Sequence, residues 1–320
     1  MSKQLFVVGV GRSGTSLLQS MFASNSAVCY LPETSFVRRY LASGLLTKSF
    51  AKGGLSAVSK QLRNDALLAR LDANLDEVLS ASENKTGFSV SALYFQLTEA
   101  ACGSQAEWIG DKDPRLIEFL PLVSTLATEG VIINVIRDPR DILLSKKRAA
   151  WSKNGHVWKH IFANRVQLKL GLEQGPPHFG KNYHEVIYEE LIADPETVLT
   201  QLCRGIGLKF DAAMLQFGDA AKKLVSDDEL SWKKETFGPL LTDNKEKWRS
   251  GLSLREIALT ELCCRQAFKL ANYQYELKGQ KLSPVDRIWV FAGAFVICLM
   301  DGPYRFYRKW QVKRACKRMT

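Results

Sequence analysis

Apolar and polar positions along the chain alternate between two rhythms. Leu5 to Val8 is an apolar, β-branched run that stops at glycines, passes through Gly11-Arg12-Ser13-Gly14-Thr15-Ser16, and resumes as Leu17, Leu18, Met21 and Phe22 at helical spacing. Val131 to Ile136 is nearly continuous and β-branched, the pattern of a strand covered on both faces, and a helix containing Ile142, Leu143 and Leu144 follows it. Glu107 to Lys112 reads as a short strand running into a turn, and Asn182 to Ile187 as another strand leading into the helix Glu196 to Ile206. These alternations predict an α/β domain with a central parallel sheet flanked by helices.

Between the first two elements and the Glu107 strand, residues 43–104 read as a helical insertion. Leu55 to Leu71, Leu75 to Ala81 and Val90 to Ala101 each carry apolar positions at helical spacing, separated by polar or glycine breaks. Such an insertion is expected to shape an acceptor pocket or a lid. Trp158 to Leu172 and Leu254 to Ala271 complete the predicted helices of a main domain spanning residues 1–280.

Residues 281–320 form a distinct C-terminal extension. Ile288 to Met300 is continuously apolar but shorter than the roughly 18 to 20 residues that cross a bilayer. The aromatic, basic stretch Tyr304 to Arg318 follows. Apolar and polybasic pieces side by side suit attachment to an anionic membrane surface through 288–318; docking onto the protein's own core or a partner subunit is the competing reading. Oligomeric state stays open.

Composition sharpens this only in part. At 320 residues, with 46% hydrophobic and 24% charged content, the chain has the profile of one large globular domain. More than half of the net charge of +11 sits in the last 20 residues, where seven basic side chains face Asp301 alone. The modest excess elsewhere suits an anionic ligand without demanding nucleic acid. Seven scattered cysteines without a C-x-x-C pair are expected to be reduced thiols, and the short lead before the first strand leaves no room for a signal peptide. Both point to a cytoplasmic protein, with a peripheral position on a membrane's inner face if the tail engages lipid.

The glycine loop carries the leading chemistry. Its backbone N–H groups and the following helix N-terminus converge on one point, where a phosphate or sulfate is stabilised. Gly9 and Gly14 have the separation of a Walker A loop, but Thr15 stands where the lysine belongs and the cation has moved to Arg12, which weakens a nucleoside-triphosphate reading. Glu33 lies at a loop-to-helix junction after Pro32, where it is either a helix-favouring charge or a catalytic one. Lys112, at a strand end, either reaches a phosphate as a point charge or faces solvent. Arg137 at the next strand end, with Ser145 along the following helix, either binds a second anion or belongs to an Arg-Asp helix start. Lys247 and Trp248 lie in a basic segment that either closes over a ligand or is solvated. His156 and His160 are spaced for zinc, but Val157 occupies the position a H-E-x-x-H motif gives to glutamate, so no metal site is expected.

Together these stretches, from about Leu5 to Ala271, resemble the sulfotransferase family that uses 3′-phosphoadenosine 5′-phosphosulfate (PAPS). Gly11-Arg12-Ser13-Gly14-Thr15-Ser16 is similar to its 5′-phosphosulfate loop, Arg137 with Ser145 to its 3′-phosphate site, and Tyr188-Glu189-Glu190-Leu191 with Asp194-Pro195-Glu196 to its Y-E-D-L and D-P-E stretch. Glu33-Thr34 and Lys112-Asp113-Pro114 resemble the tyrosylprotein sulfotransferases and their bacterial relatives, in which the glutamate is the catalytic base. The resemblance implies PAPS as donor, 3′-phosphoadenosine 5′-phosphate (PAP) as product, no required metal, and Glu33, Arg12 and Lys112 as catalytic residues. It further implies that Thr15, Ser16, Tyr188, Lys247 and Trp248 help to hold the donor. A glycan, lipid or small-molecule hydroxyl is the favoured acceptor, with a tyrosine acceptor, a P-loop kinase or a catalytically silent membrane adaptor as alternatives.

Overall fold

A computed structural model of the chain describes residues 2–71, 73–84, 87–103, 105–150, 152, 154–224, 238, 240–276 and 281–319. Five strands, β1 (Lys3–Gly9), β2 (Val28–Tyr30), β3 (Trp108–Lys112), β4 (Val131–Ile136) and β5 (Tyr183–Ile187), form one sheet in the order β2-β3-β1-β4-β5. Every pairing in it is parallel. β3 and β4 are buried at every position and β1 at all but its first, which is why β1 and β4 read as nearly continuous apolar runs; β3 buries Asp111 and Lys112 as well as Trp108 and Ile109. The edge strand β5 is mostly half-buried and reads more weakly.

Residues that alternate along the strands feed two cores. Phe6, Val8 and Ile132 face the insertion, packing with Phe36, Tyr40, Leu93 and Leu116. Leu5, Val7, Ile133 and Val135 face the opposite layer, built from the helices Thr15–Ala23 and Pro195–Ile206. The register pairs Val7 with Lys112, Gly9 with Val135 and Ile136 with Ile187, so the carboxyl ends of adjacent strands lie side by side.

Several boundaries differ from expectation for local reasons. The first insertion helix runs Leu45–Arg63 rather than Leu55–Leu71, and departs from helical geometry at Gly53-Gly54. Val157–Phe179 continues beyond Leu172, with Pro176 and Pro177 inside its last turns. Leu254–Ala271 divides at Cys264 into Leu254–Cys263 and Arg265–Leu270.

The expectation that all cysteines are reduced is corrected. Cys29 in β2 and Cys102 at the end of the helix Val90–Cys102 form a disulfide, their Cα atoms 5.7 Å apart. The partners are 73 residues apart in sequence, so only the return of that helix to the sheet edge brings them within bonding reach. Cys203, Cys263 and Cys264 are free and buried.

The C-terminal extension is a single helix, Pro284–Met319. It packs against Leu254–Cys263, Val157–Phe179 and Leu120–Leu126. Val290, Ala294 and Ile297 join Leu143, Ile161 and Leu259 in a third core, while Val312 and Ala315 reach the core on the insertion side. Charge locks this packing. Glu118, with no exposed side-chain surface, meets Arg308 at 2.8 Å and accepts from the Tyr304 hydroxyl at 2.6 Å and Gln167 at 2.8 Å. Asp301 pairs with Arg165 at 2.8 Å, Lys169 at 2.9 Å and Arg305 at 2.6 Å.

Removing Arg308 leaves the buried Glu118 charge opposed, among the described residues, only by Arg115, at 3.4 Å. Arg308→Leu is therefore expected to lower stability by about 3 kcal/mol, read from urea unfolding. Burial alone raises the Asp301 pKa, but Lys169, Arg305 and Arg165 outweigh it and bring it down to about 2. The resulting stabilisation is complete above the ordinary carboxylate value and is lost as pH falls toward about 2. Asp301→Asn should thus lower the melting temperature at neutral pH and flatten its decline in acid.

Candidate active site

Each of the five strands delivers one prominent polar or aromatic side chain at its carboxyl end. β1 leads to Arg12, β2 to Glu33, β3 ends on Lys112, β4 leads to Arg137 and β5 to Tyr188. Ligand sites of open α/β sheets lie at this edge.

The loop after β1 turns through a Ser13 N–H to Val10 carbonyl bond of 3.0 Å and enters the helix at Thr15. Gly14 has φ +98°, and a Cβ there would lie 2.3 Å from the Tyr188 ring, so both conformation and contact require glycine. Arg12 also has positive φ (78°), an uncommon conformation for a side-chain-bearing residue, and its Nε donates to Ser145 Oγ at 2.9 Å. Thr15 is buried and Ser16 half-buried in the first helical turn, whose N–H groups lack intrahelical acceptors. Ser13 Oγ is buried without a hydrogen-bond partner.

Arg137 lies over the Tyr188 ring at 4.2 Å. Its Nη1 donates to the Arg12 carbonyl at 3.4 Å and its Nη2 to the Asn244 carbonyl at 2.9 Å, while its buried Nε has no partner. Asn244 in turn donates to the Tyr188 hydroxyl at 2.9 Å. Arg137 and Ser145 are therefore linked through Arg12, one through its backbone and the other through its side chain. Ser13 Oγ and Arg137 Nε are thus two orphaned donors, each of which a bound oxyanion could satisfy, beside the guanidinium groups of Arg12 and Arg137.

Asp141 fixes the segment carrying Lys247 and Trp248. Its carboxylate accepts from the backbone N–H groups of Glu246 and Trp248 at 2.8 and 3.0 Å. Trp248 is buried, its ring lying against Arg140 at 3.8 Å and Arg249 at 4.5 Å. Arg140 is itself held by Asp138 and Glu261, each at 2.7 Å. Trp248 thus anchors the segment, and Lys247 beside it is half-buried.

On the other side of the loop, buried Lys112 and partly exposed Glu33 form a direct ion pair. Arg38 braces it from outside, donating to Asp113 at 3.0 Å and to Ser35 Oγ at 2.9 Å. Ser35 has positive φ (54°) and leads into a π-helical turn, Val37–Leu41. From below, Tyr94 donates to Asp111 at 3.1 Å, and the Tyr30 ring fills the space over Gly110, where a Cβ would lie 2.4 Å from it. Burial, reinforced by Asp113 and Glu33 against Tyr94 and Lys112, pushes the Asp111 carboxyl up to about 7.

Arg38, Asp141 and Asn244 have no signature in the sequence pattern. Their contacts with the site join distant segments, 56 to 107 residues apart. His156 and His160 do not share a ligand: His156 caps its own helix, and the His160 ring lies 3.1 Å from the Ser152 carbonyl.

With this geometry in place, the family model described as "Sulfotransferase family" matches residues 4–212. The chain belongs to the sulfotransferase family. It is 26% identical over 203 residues to carbohydrate sulfotransferase 3 of Tetronarce californica, covering 55% of this chain and 44% of that protein. To carbohydrate sulfotransferase 5 of Mus musculus it is 25% identical over 218 residues, covering 59% and 54%. The chain spans about half the length of the curated relatives it matches. Among solved structures, the sulfotransferase domain of the Synechococcus PCC 7002 olefin synthase has a similar fold, with a TM-score of 0.62 at 20% identity over 86% of this chain and 95% of that one. The sulfotransferase domain of the curacin biosynthetic pathway gives 0.56 at 19% identity over 86% and 99%.

Asp111 lends itself to a pH test. Its folded pKa lies above the unfolded value, so the folded chain keeps that proton longer and loses stability as pH rises from the ordinary carboxylate range through about 7. Asp111→Asn should remove this decline, so that the melting-temperature gap between variant and wild type shifts in the variant's favour from pH 5 to pH 8.

Proposed function

We propose that the chain transfers the sulfuryl group of PAPS to an acceptor hydroxyl with Glu33 as general base. The observation that carries this reading is the convergence of Arg12, Glu33, Lys112 and Arg137 at adjoining strand ends, with one buried, unpartnered hydrogen-bond donor in the glycine loop, Ser13 Oγ, and another on Arg137. When bound, the donor supplies an activated sulfur–oxygen bond whose cleavage places negative charge on the bridging phosphate oxygen.

The chain's own residues match that demand. Ser13, Thr15, Ser16 and the loop N–H groups hold the 5′ side, and Arg12 and Lys112 stabilise the charge that develops on the leaving phosphate. Arg137 and Ser145 hold the 3′-phosphate, the group that distinguishes this donor from ATP. Tyr188 supports both the loop and Arg137, while Lys247 and Trp248 belong to the covering segment. Glu33 takes the acceptor's proton as its oxygen bonds to sulfur, and PAP departs with the electrons of the broken bond. No step calls for a metal, because a sulfuryl group carries less charge than a phosphoryl group.

The relatives named above are carbohydrate sulfotransferases, which favours a glycan hydroxyl over a tyrosine as the acceptor. Lipid and small-molecule hydroxyls belong to the same favoured group, and acceptor screening separates them.

Calorimetric titration of PAP into the full chain is the direct test, with ATP plus magnesium as comparison. PAP should bind, and Arg137→Ala should weaken it tenfold or more, the effect of losing a charge-assisted hydrogen bond of about 1.5–3 kcal/mol. ATP with magnesium binding in place of PAP would overturn the proposal in favour of a kinase. Once an acceptor is found, Glu33→Gln should lower kcat by about 10²- to 10⁴-fold while leaving PAP affinity unchanged. Full activity of that variant would remove Glu33 from the chemistry.

A further inference from the structure

Exposed apolar surface is concentrated on one element. Of the fourteen large hydrophobic side chains that stand out in solvent among the described residues, ten belong to the helix Pro284–Met319. Their distribution around the helix is not random. Val290, Ala294, Ile297, Asp301, Arg308, Val312 and Ala315 turn inward at spacings of three, four and seven residues. Ile288, Phe291, Phe295, Leu299, Phe306 and Trp310 follow the same period half a turn away and lie 46–75% exposed. From Val285 to Trp310 this outer face extends about 38 Å at 1.5 Å per residue.

Where the apolar stripe ends, a basic one begins. Lys313, Arg314 and Lys317 are exposed on the turns that follow, with the Arg314 guanidinium 4.6 Å from the Trp310 ring. Acidic groups on this helix are committed elsewhere: Asp301 is buried among three cations, and Asp286 pairs with Arg255 at 3.7 Å. Glu173, on the neighbouring helix, is taken up by Arg305 and Lys309. A second copy of the same face would bring nothing acidic to meet the basic turns.

We propose that the outer face of Pro284–Met319 lies in the interface of an anionic lipid bilayer, parallel to its plane. No helix among the described residues is long and apolar enough to cross a membrane, and this one is fastened to the protein along its inner face. Phenylalanines, leucine and isoleucine enter the acyl boundary, Tyr307 and Trp310 sit at headgroup depth, and the basic turns meet the lipid charge. Arg318 at the far end donates to the backbone carbonyls of Leu41, Ala42 and Ser43, so the attached helix directly contacts the segment that follows Glu33. This inference is independent of the donor and acceptor chemistry proposed above.

Co-sedimentation of the full chain with phosphatidylcholine vesicles containing one quarter phosphatidylglycerol tests it. Binding should be strong at low salt, fall as salt rises, and largely disappear with pure phosphatidylcholine. Phe291→Glu with Phe295→Glu should abolish it with no change in PAP binding or circular dichroism. Replacing Lys313, Arg314 and Lys317 by glutamine should weaken it on the order of 100-fold, since each basic residue at such a surface contributes roughly five-fold. Should the double glutamate variant fail to fold, quenching of wild-type fluorescence by brominated lipid, lost in Trp310→Phe, decides instead. Absence of wild-type binding, undiminished binding by the glutamate variant, or a dimer that Phe295→Glu dissolves in the absence of lipid binding would each overturn the proposal.

Discussion

Parallel pairing of β1 with β3 on one side and β4 on the other is the constraint on which the site depends. Because the five strands run in one direction, all their carboxyl ends emerge at one edge, and residues scattered from Arg12 to Tyr188 become neighbours. The side-chain period of two makes this arrangement intolerant of slippage. Shifting β3 by one residue would exchange the faces of Asp111 and Lys112, turning the lysine away from Glu33. The continuous apolar character of the central strands is thus a condition for the chemistry, since it fixes the register against both cores.

Around that edge, polar residues are arranged in tiers. Arg12, Arg137, Lys112 and Glu33 line the edge itself, and each is held by a second residue that has no freedom of its own. Tyr188 packs beneath both Gly14 and Arg137, Arg38 braces the Glu33 turn against Asp113, and Asp141 captures the backbone of the covering segment. Their own contacts are what make these supports effective, because a guanidinium stacked on a ring or a carboxylate bound by two N–H groups has few alternative positions.

What was legible in the sequence follows from range of interaction. The strand, loop and helix from Leu5 to Phe22 are written in local periodicity and in glycines, of which Gly9 and Gly14 have no room for a side chain, and the structure reproduces them. Lys112 and Arg137 were legible as strand-end residues and Glu33 as a residue of a loop-to-helix junction, but their meeting depends on sheet order, which local pattern does not encode. Arg38, Asn244 and the Cys29–Cys102 bond were illegible because their significance lies wholly in contacts between distant segments. The Ile288–Met300 run was legible as apolar and misleading as a unit: Val290, Gly293, Ala294 and Ile297 are buried and most of the rest is exposed, a division visible only once helical phase and packing are known.

The Cys29–Cys102 bond closes a ring of chain that contains Glu33 and the whole insertion, yet excludes Arg12, Lys112, Arg137 and Ser145. Glu33 therefore sits within the covalently closed ring, and the anion-facing residues sit outside it. Substitutions, insertions or deletions inside the ring can reshape what approaches Glu33 without disturbing the anion cradle, and the covalent closure confines their effects. Such a division lets one fold diversify in the compound it modifies while conserving the group it delivers.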